Sequence, residues 1–103
     1  MAILEITVAP LGTGSPSVSS YVAACHRVLE ASEGIKYELH AMGTIIEGDL
    51  DRLFEVIRAL HEVPFEAGAQ RVMSIIRIDD RRDKENTIAG KVKSVQEKLG
   101  KKE

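Results

Sequence analysis

The stretch Gly12-Thr13-Gly14-Ser15-Pro16-Ser17-Val18-Ser19-Ser20 puts two glycines and four serines into nine residues. Gly12 and Gly14 allow positive φ or a close backbone approach. Ser17, Ser19 and Ser20 are of the type that satisfies free N–H groups where a helix begins. Spare amides and hydroxyls at a helix start also form a seat for an anion or a polar ligand group. The plain reading of these residues is a capping turn, and the sharper one is a binding loop.

The other residues with chemical potential are scattered. His26, His40 and His61 show no helical metal-motif spacing, and each reads as a solvent-facing histidine rather than as a ligand joined to Glu38 or Glu47. Cys25, the single cysteine, falls on an apolar stripe and reads as a small core residue. Gly12-Thr13-Gly14 lacks the third glycine of a dinucleotide fingerprint, and no lysine follows it as in a phosphate-binding loop. Asp79-Asp80 runs directly into Arg81-Arg82, the mark of charges that compensate one another in solvent. No nucleophile, base and orienting group can be assembled, so the expectation is a protein that is not an enzyme and holds no metal.

Bulk properties narrow the classes further. A chain of 103 residues is expected to form a single domain, residues 1–103, with 44% hydrophobic and 29% charged residues. The net charge of −2 and the 4% aromatic content argue against nucleic acid as a partner. No apolar run is long enough to span a membrane. The opening Met1-Ala2-Ile3-Leu4-Glu5 passes straight into strand alternation and does not read as a signal peptide, so a cytoplasmic location is expected.

The elements that must position these groups follow from periodicity. Leu4, Ile6 and Val8 alternate as a strand that Pro10 ends. Val18, Tyr21, Val22, Cys25, Val28 and Leu29 mark one face of a helix that closes at Gly34. Residues 36–41 and 44–47 form a hairpin around Met42-Gly43. Asp49 is the expected N-cap of a second helix whose buried stripe is Leu50, Leu53, Phe54, Ile57 and Leu60, with a kink or early end at Pro64. Residues 71–79 are a fourth strand. Thr87 caps a last helix with Ile88, Val92, Val95 and Leu99 on a narrow seam. This order predicts an α+β chain: a ferredoxin-like βαββαβ sandwich, four antiparallel strands with two helices on one face, and an extra C-terminal helix.

Such a sandwich leaves one face of the sheet free of helices. Alternation sends Glu5, Thr7, Glu38, His40, Ile45, Glu47, Met73, Ile75 and Arg77 to that face, and Leu39, Ile46, Val72, Ser74, Ile76 and Ile78 to the other. Three large apolar groups at the centre of an uncovered face mark a surface for a partner or a ligand, and self-association is the favoured reading.

Pro10-Leu11-Gly12-Thr13 with Ser15, Ser17, Ser19, Ser20 and Tyr21-Val22-Ala23 resembles the opening motif of the thiamine-binding protein family, the YkoF-like proteins. Met42-Gly43-Thr44-Ile45-Ile46-Glu47-Gly48 is similar to its second motif, and Arg77-Ile78-Asp79-Asp80-Arg81-Arg82-Asp83-Lys84 to its third. The resemblance implies homodimers that pair into a homotetramer, and non-catalytic binding of thiamine or its hydroxymethylpyrimidine moiety as carrier, buffer or sensor. On that basis the candidate ligand residues are Thr7, Ser19, Ser20, Gly43, Thr44, Glu47 and Asp79. Glu47 would accept from a pyrimidine amino group, Thr44 and the Gly43 backbone would complete the pocket, and Ser19 and Ser20 would donate to a ring nitrogen, hydroxyl or phosphate. Asp79 would balance a thiazolium charge. The alternative is an oligomeric interaction or regulatory module with an anionic or heterocyclic effector.

Overall fold

The computed structural model describes residues 1–12, 14 and 19–100. The order is β1 (Ala2–Pro10), α1 (Ser19–Ala31), β2 (Ile35–His40), β3 (Gly43–Gly48), α2 (Leu50–Glu66), β4 (Val72–Asp80) and α3 (Ile88–Lys98). The strands form one antiparallel sheet in the order β2-β3-β1-β4. This is the ferredoxin-like arrangement expected from the element order.

Register fixes the two faces. Leu4 pairs with Ile46 and Ile78, and Ile6 pairs with Thr44 and Ile76, all on the helix side. Glu5 pairs with Ile45 and Arg77, and Thr7 with Ile75, on the front. Each assigned parity holds, because no bulge interrupts β1 between its two partners. The core lies behind the sheet, where Leu4, Ile6 and Ile46 meet Leu29 of α1 and Leu53, Val56, Ile57 and Leu60 of α2.

Several local expectations are corrected. Phe54 is half-exposed, and Val56 and Val63 take its place on the buried stripe of α2. Asp49 has extended N-cap geometry, but its side chain makes no capping hydrogen bond; its carbonyl accepts from Leu53 N–H at 2.9 Å. Pro64 does not stop α2 early, since the helix runs on to Glu66. Ile76 and Ile78 do face the helix side, yet they stay exposed because β4 is an edge strand that the two helices leave largely uncovered. His61 bridges part of that seam, Nδ1 to Ser74 Oγ at 2.6 Å.

The front is not wholly bare either. Helix α3 begins over one end of it: Ile88 N–H donates to the Glu47 carboxylate at 3.2 Å, and Lys91 pairs with Asp79. Glu47, Ile3 and Asp79 are in register across three strands, and Ile3 is buried between them. Thr87 caps α3 as expected, accepting from Gly90 N–H at 2.9 Å.

Candidate functional site

A cleft of about 320 Å³ lies on the helix side of the sheet, at the end where the β2–β3 hairpin turns. Ile6 and Val8 of β1, Leu39 of β2 and Thr44 of β3 form its floor. Val22, Cys25, His26 and Leu29 of α1 form a wall, and Leu60 of α2 closes the back. The turn residues His40, Ala41 and Met42, with Thr7, Ala9 and Gly43, shape the mouth. The lining is mostly apolar, and among the described residues it holds no Asp, Glu, Lys or Arg. Such a lining suits an uncharged or weakly polar ring, oriented by a few hydrogen bonds.

Those polar groups have identifiable positions. Thr7 Oγ1 donates to the Met42 carbonyl at 3.0 Å, which ties β1 to the hairpin turn. Gly43 allows that closeness: a Cβ there would stand 3.0 Å from Thr7 Oγ1 and 3.1 Å from the Ile6 carbonyl. His40 Nε2 reaches Glu38 Oε1 at 3.2 Å on the exposed hairpin. His26 packs edge-on against Tyr37, ring centres 5.1 Å apart, and its Nδ1 is buried without a hydrogen-bond partner among the described residues. A buried polar atom left unpaired in this way marks a strained spot or a place for a ligand or water.

Cys25 has a structural explanation that also touches the cleft. Proline has no N–H, so Pro64 leaves the Leu60 carbonyl without its helical donor. The Cys25 thiol fills that role across the α1–α2 interface, Sγ to the Leu60 oxygen at 3.8 Å. Burial pushes the thiol's pKa up, which suits a hydrogen-bond donor and not a nucleophile.

The expected ligand residues therefore divide. Thr7, Gly43 and Thr44 meet at the cleft. Ser19 and Ser20 lie in the first turn of α1, just before Val22 of the cleft wall, with exposed side chains. Gly12 and Gly14 do take positive φ, 73° and 79°; Thr13, Ser15, Pro16, Ser17 and Val18 lie outside the described residues. Glu47 and Asp79 are not brought to the cleft. Both point to the opposite face, four residues further along the strand from Thr7 by register, roughly 13 Å at about 3.3 Å per residue. There they anchor α3, together with Asn86, whose buried side chain donates to the Asp79 carbonyl at 3.1 Å. His26, Met42 and the Leu60 carbonyl were not singled out from sequence for the cleft. Among the described residues no group of three or more His, Cys, Asp or Glu side chains is placed to hold a metal ion, and no helix is long and apolar enough to cross a membrane.

The sequence profile of the thiamine-binding protein family matches residues 4–96. The chain belongs to that family. Among its relatives is the UPF0045 protein YqgV of Bacillus subtilis, 53% identical over 102 residues that cover 96% of this chain and 98% of YqgV. The crystal structure of the hypothetical protein MJ1052 of Methanocaldococcus jannaschii superposes with a TM-score of 0.83 at 40% identity, over 93% of this chain and 96% of that one. A Thermotoga maritima protein, provisionally named for thiamine biosynthesis or salvage, shares the fold of this thiamine-binding family member. Its TM-score is 0.75 at 21% identity, over 91% of this chain and 97% of that one.

Proposed function

We propose that this protein is a non-catalytic binder of thiamine-related heterocycles, and that the hairpin-end cleft takes the hydroxymethylpyrimidine ring. The observation that carries this reading is an apolar cleft without a charged side chain among its described residues, whose polar groups are the threonines Thr7 and Thr44 and the hairpin backbone. An aminopyrimidine offers an N–H₂ donor beside ring-nitrogen acceptors, and it complements such groups without a full charge. The cleft's size, at the lower end of ligand pockets, suits one ring better than a whole thiamine with its thiazolium inside. The Gly43 close approach supports the mouth in a fixed shape. Family membership supports the ligand class.

Isothermal titration with hydroxymethylpyrimidine, thiamine and thiamine diphosphate tests this. The free pyrimidine should bind at least as tightly as thiamine, and Val22→Phe, which fills the cleft, should abolish binding while the fold persists by circular dichroism. Binding that survives Val22→Phe would move the site elsewhere. No heat with any of the three would leave an interaction module as the better account. In that case the exposed β4 edge and the partly uncovered front would be its working surfaces.

A further inference from the structure

We infer that the backbone carbonyl of Leu60 is a specificity-determining group of the cleft, selecting heterocycles that present an amino N–H at their buried end; this rests on the cleft being the heterocycle site. In an unbroken helix the Leu60 oxygen would accept from the N–H of residue 64. That residue is a proline inside α2, fully buried, so the donor does not exist. The next turn is not short of donors, since the Val63 and Pro64 carbonyls both accept from Ala67 N–H at 3.2 Å. Leu60 instead receives the Cys25 thiol from across the α1–α2 interface, Sγ to oxygen at 3.8 Å. A thiol is a weak donor, and a carbonyl oxygen has two lone pairs to satisfy. Cys25 and Leu60 both line the cleft, so an under-served acceptor stands at its back.

The rest of the lining decides what answers that acceptor. Ile6, Val8, Val22 and Leu29 give a ring an apolar bed, and among the described residues no lysine or arginine lines the cleft to claim the oxygen first. The Thr7 hydroxyl, at the mouth, is already donated to the Met42 carbonyl. An acceptor at the back and hydroxyls towards the mouth give the cleft a direction: the amino group of an aminopyrimidine enters first, and its hydroxymethyl group stays near Thr44. An oxo group in place of the amino group would set oxygen against oxygen, which adds rejection to attraction. A site that hydrogen-bonds a ligand N–H discriminates against the analogue lacking it more sharply than an apolar wall discriminates by size. A proline inside a helix breaks a local rule, and such breaks gather where function needs them.

Isothermal titration with hydroxymethylpyrimidine, and with its analogue carrying methyl in place of the amino group, tests the assignment. The unaltered protein should favour the amino compound about tenfold. Pro64→Ala gives the Leu60 oxygen a helical N–H and should bring that ratio below about threefold, with the affinity for the methyl compound unchanged. Cys25→Ala removes the thiol's claim on the oxygen and should keep the preference or raise it. A proline that matters only to the helix would change both affinities together and leave their ratio alone, which overturns the inference. A second readout needs no variant: with isotope labels on leucine carbonyls and histidine amides, the coupled pairs are Leu39-His40 and Leu60-His61. The Leu60 carbonyl resonance should move further with the amino compound than with the methyl compound, and equal movement with both overturns the inference. Binding of both pyrimidines at a ratio near one would overturn it as well, while the cleft would stand as the heterocycle site. Binding of neither would remove the cleft function itself, and the role of Leu60 with it.

Discussion

Helices α1 and α2 cover the same side of the same sheet, and both carry apolar stripes at three- and four-residue steps, yet the space beneath them differs. Under α2 the layer is filled, with six of its residues buried from Leu53 to Pro64. Under α1 only Leu29 is buried, and Val22, Cys25 and His26 border the cleft. The difference teaches that a stripe of the right period brings a helix to a sheet without deciding how closely it seats. The half that seats tightly holds the fold, and the half that stands off leaves room for a ligand. Interiors packed to crystal density make such a gap an exception that needs a use.

The largest expected effect sets the two halves against each other. Leu53→Ala removes a fully buried side chain from the filled half and should cost about 2–5 kcal/mol in urea unfolding. Val22→Ala, at the wall of the open half, should cost no more than about 0.5 kcal/mol. Equal losses would mean that α1 is seated as firmly as α2, and the contrast would fail.

Next in size is the mouth of the cleft. Gly43→Ala forces a Cβ against Thr7 Oγ1 and the Ile6 carbonyl, and should destabilise by about 1–3 kcal/mol. Adding Thr7→Ala should recover only part of that loss, since the Ile6 backbone oxygen still stands at 3.1 Å. Full recovery in the double variant would place the tightness in the threonine side chain alone.

A smaller effect tests the seam where the halves join. Cys25→Ala leaves the Leu60 carbonyl without a donor and should cost about 1 kcal/mol, while Cys25→Ser, which keeps a donor, should cost less. In a Pro64→Ala background the helix regains an N–H for that carbonyl, so the Cys25→Ala penalty should shrink. A double-mutant cycle with no coupling would show that the thiol contact does not compensate for the proline.

These contrasts also separate what the sequence could disclose from what it could not. Strand parity was legible because a period of two is set by the backbone, and Glu5, Ile45 and Ile75 fall where alternation put them. The Thr87 cap was legible because its signal is local. The cleft was not: Val22 and Cys25 carry the periodicity of core residues, and whether a helix seats or stands off depends on everything it meets. Glu47 shows the limit most clearly. Its place in a glycine-flanked strand motif made it the natural partner for a pyrimidine amino group, but its carboxylate accepts from Ile88, 41 residues away. Asp79 likewise stood out as a charge for a thiazolium, and its neighbour is Lys91 of α3. Three of the seven expected ligand residues line the cleft, because the second motif folds into the hairpin that closes it.

The smallest effect lies across the sheet, where polar contacts rather than packing hold a helix in place. The hydrogen bond from Lys91 holds the Asp79 carboxyl below the ordinary carboxylate range, with Asn86 and Arg81 adding to it. A carboxylate whose pKa is lowered in the folded state favours that state above its unfolded value of about 3.9, and the advantage is lost as pH falls through the lowered value. The anchor of α3 should therefore be intact near neutrality and loosen in acid, while the core under α2, which rests on apolar packing, does not. Amide exchange at Ile88 and Lys91 should speed up relative to Leu53 and Val56 as the pH is taken from about 5 to about 3, with the change scored after correction for intrinsic exchange. Asp79→Asn is the control that assigns the step: it should loosen α3 already at about pH 5 and reduce the further change on acidification. An acid step of the same size in Asp79→Asn would show that the Asp79 carboxylate does not carry it, and that its pairing with Lys91 is not what ties α3 to the sheet.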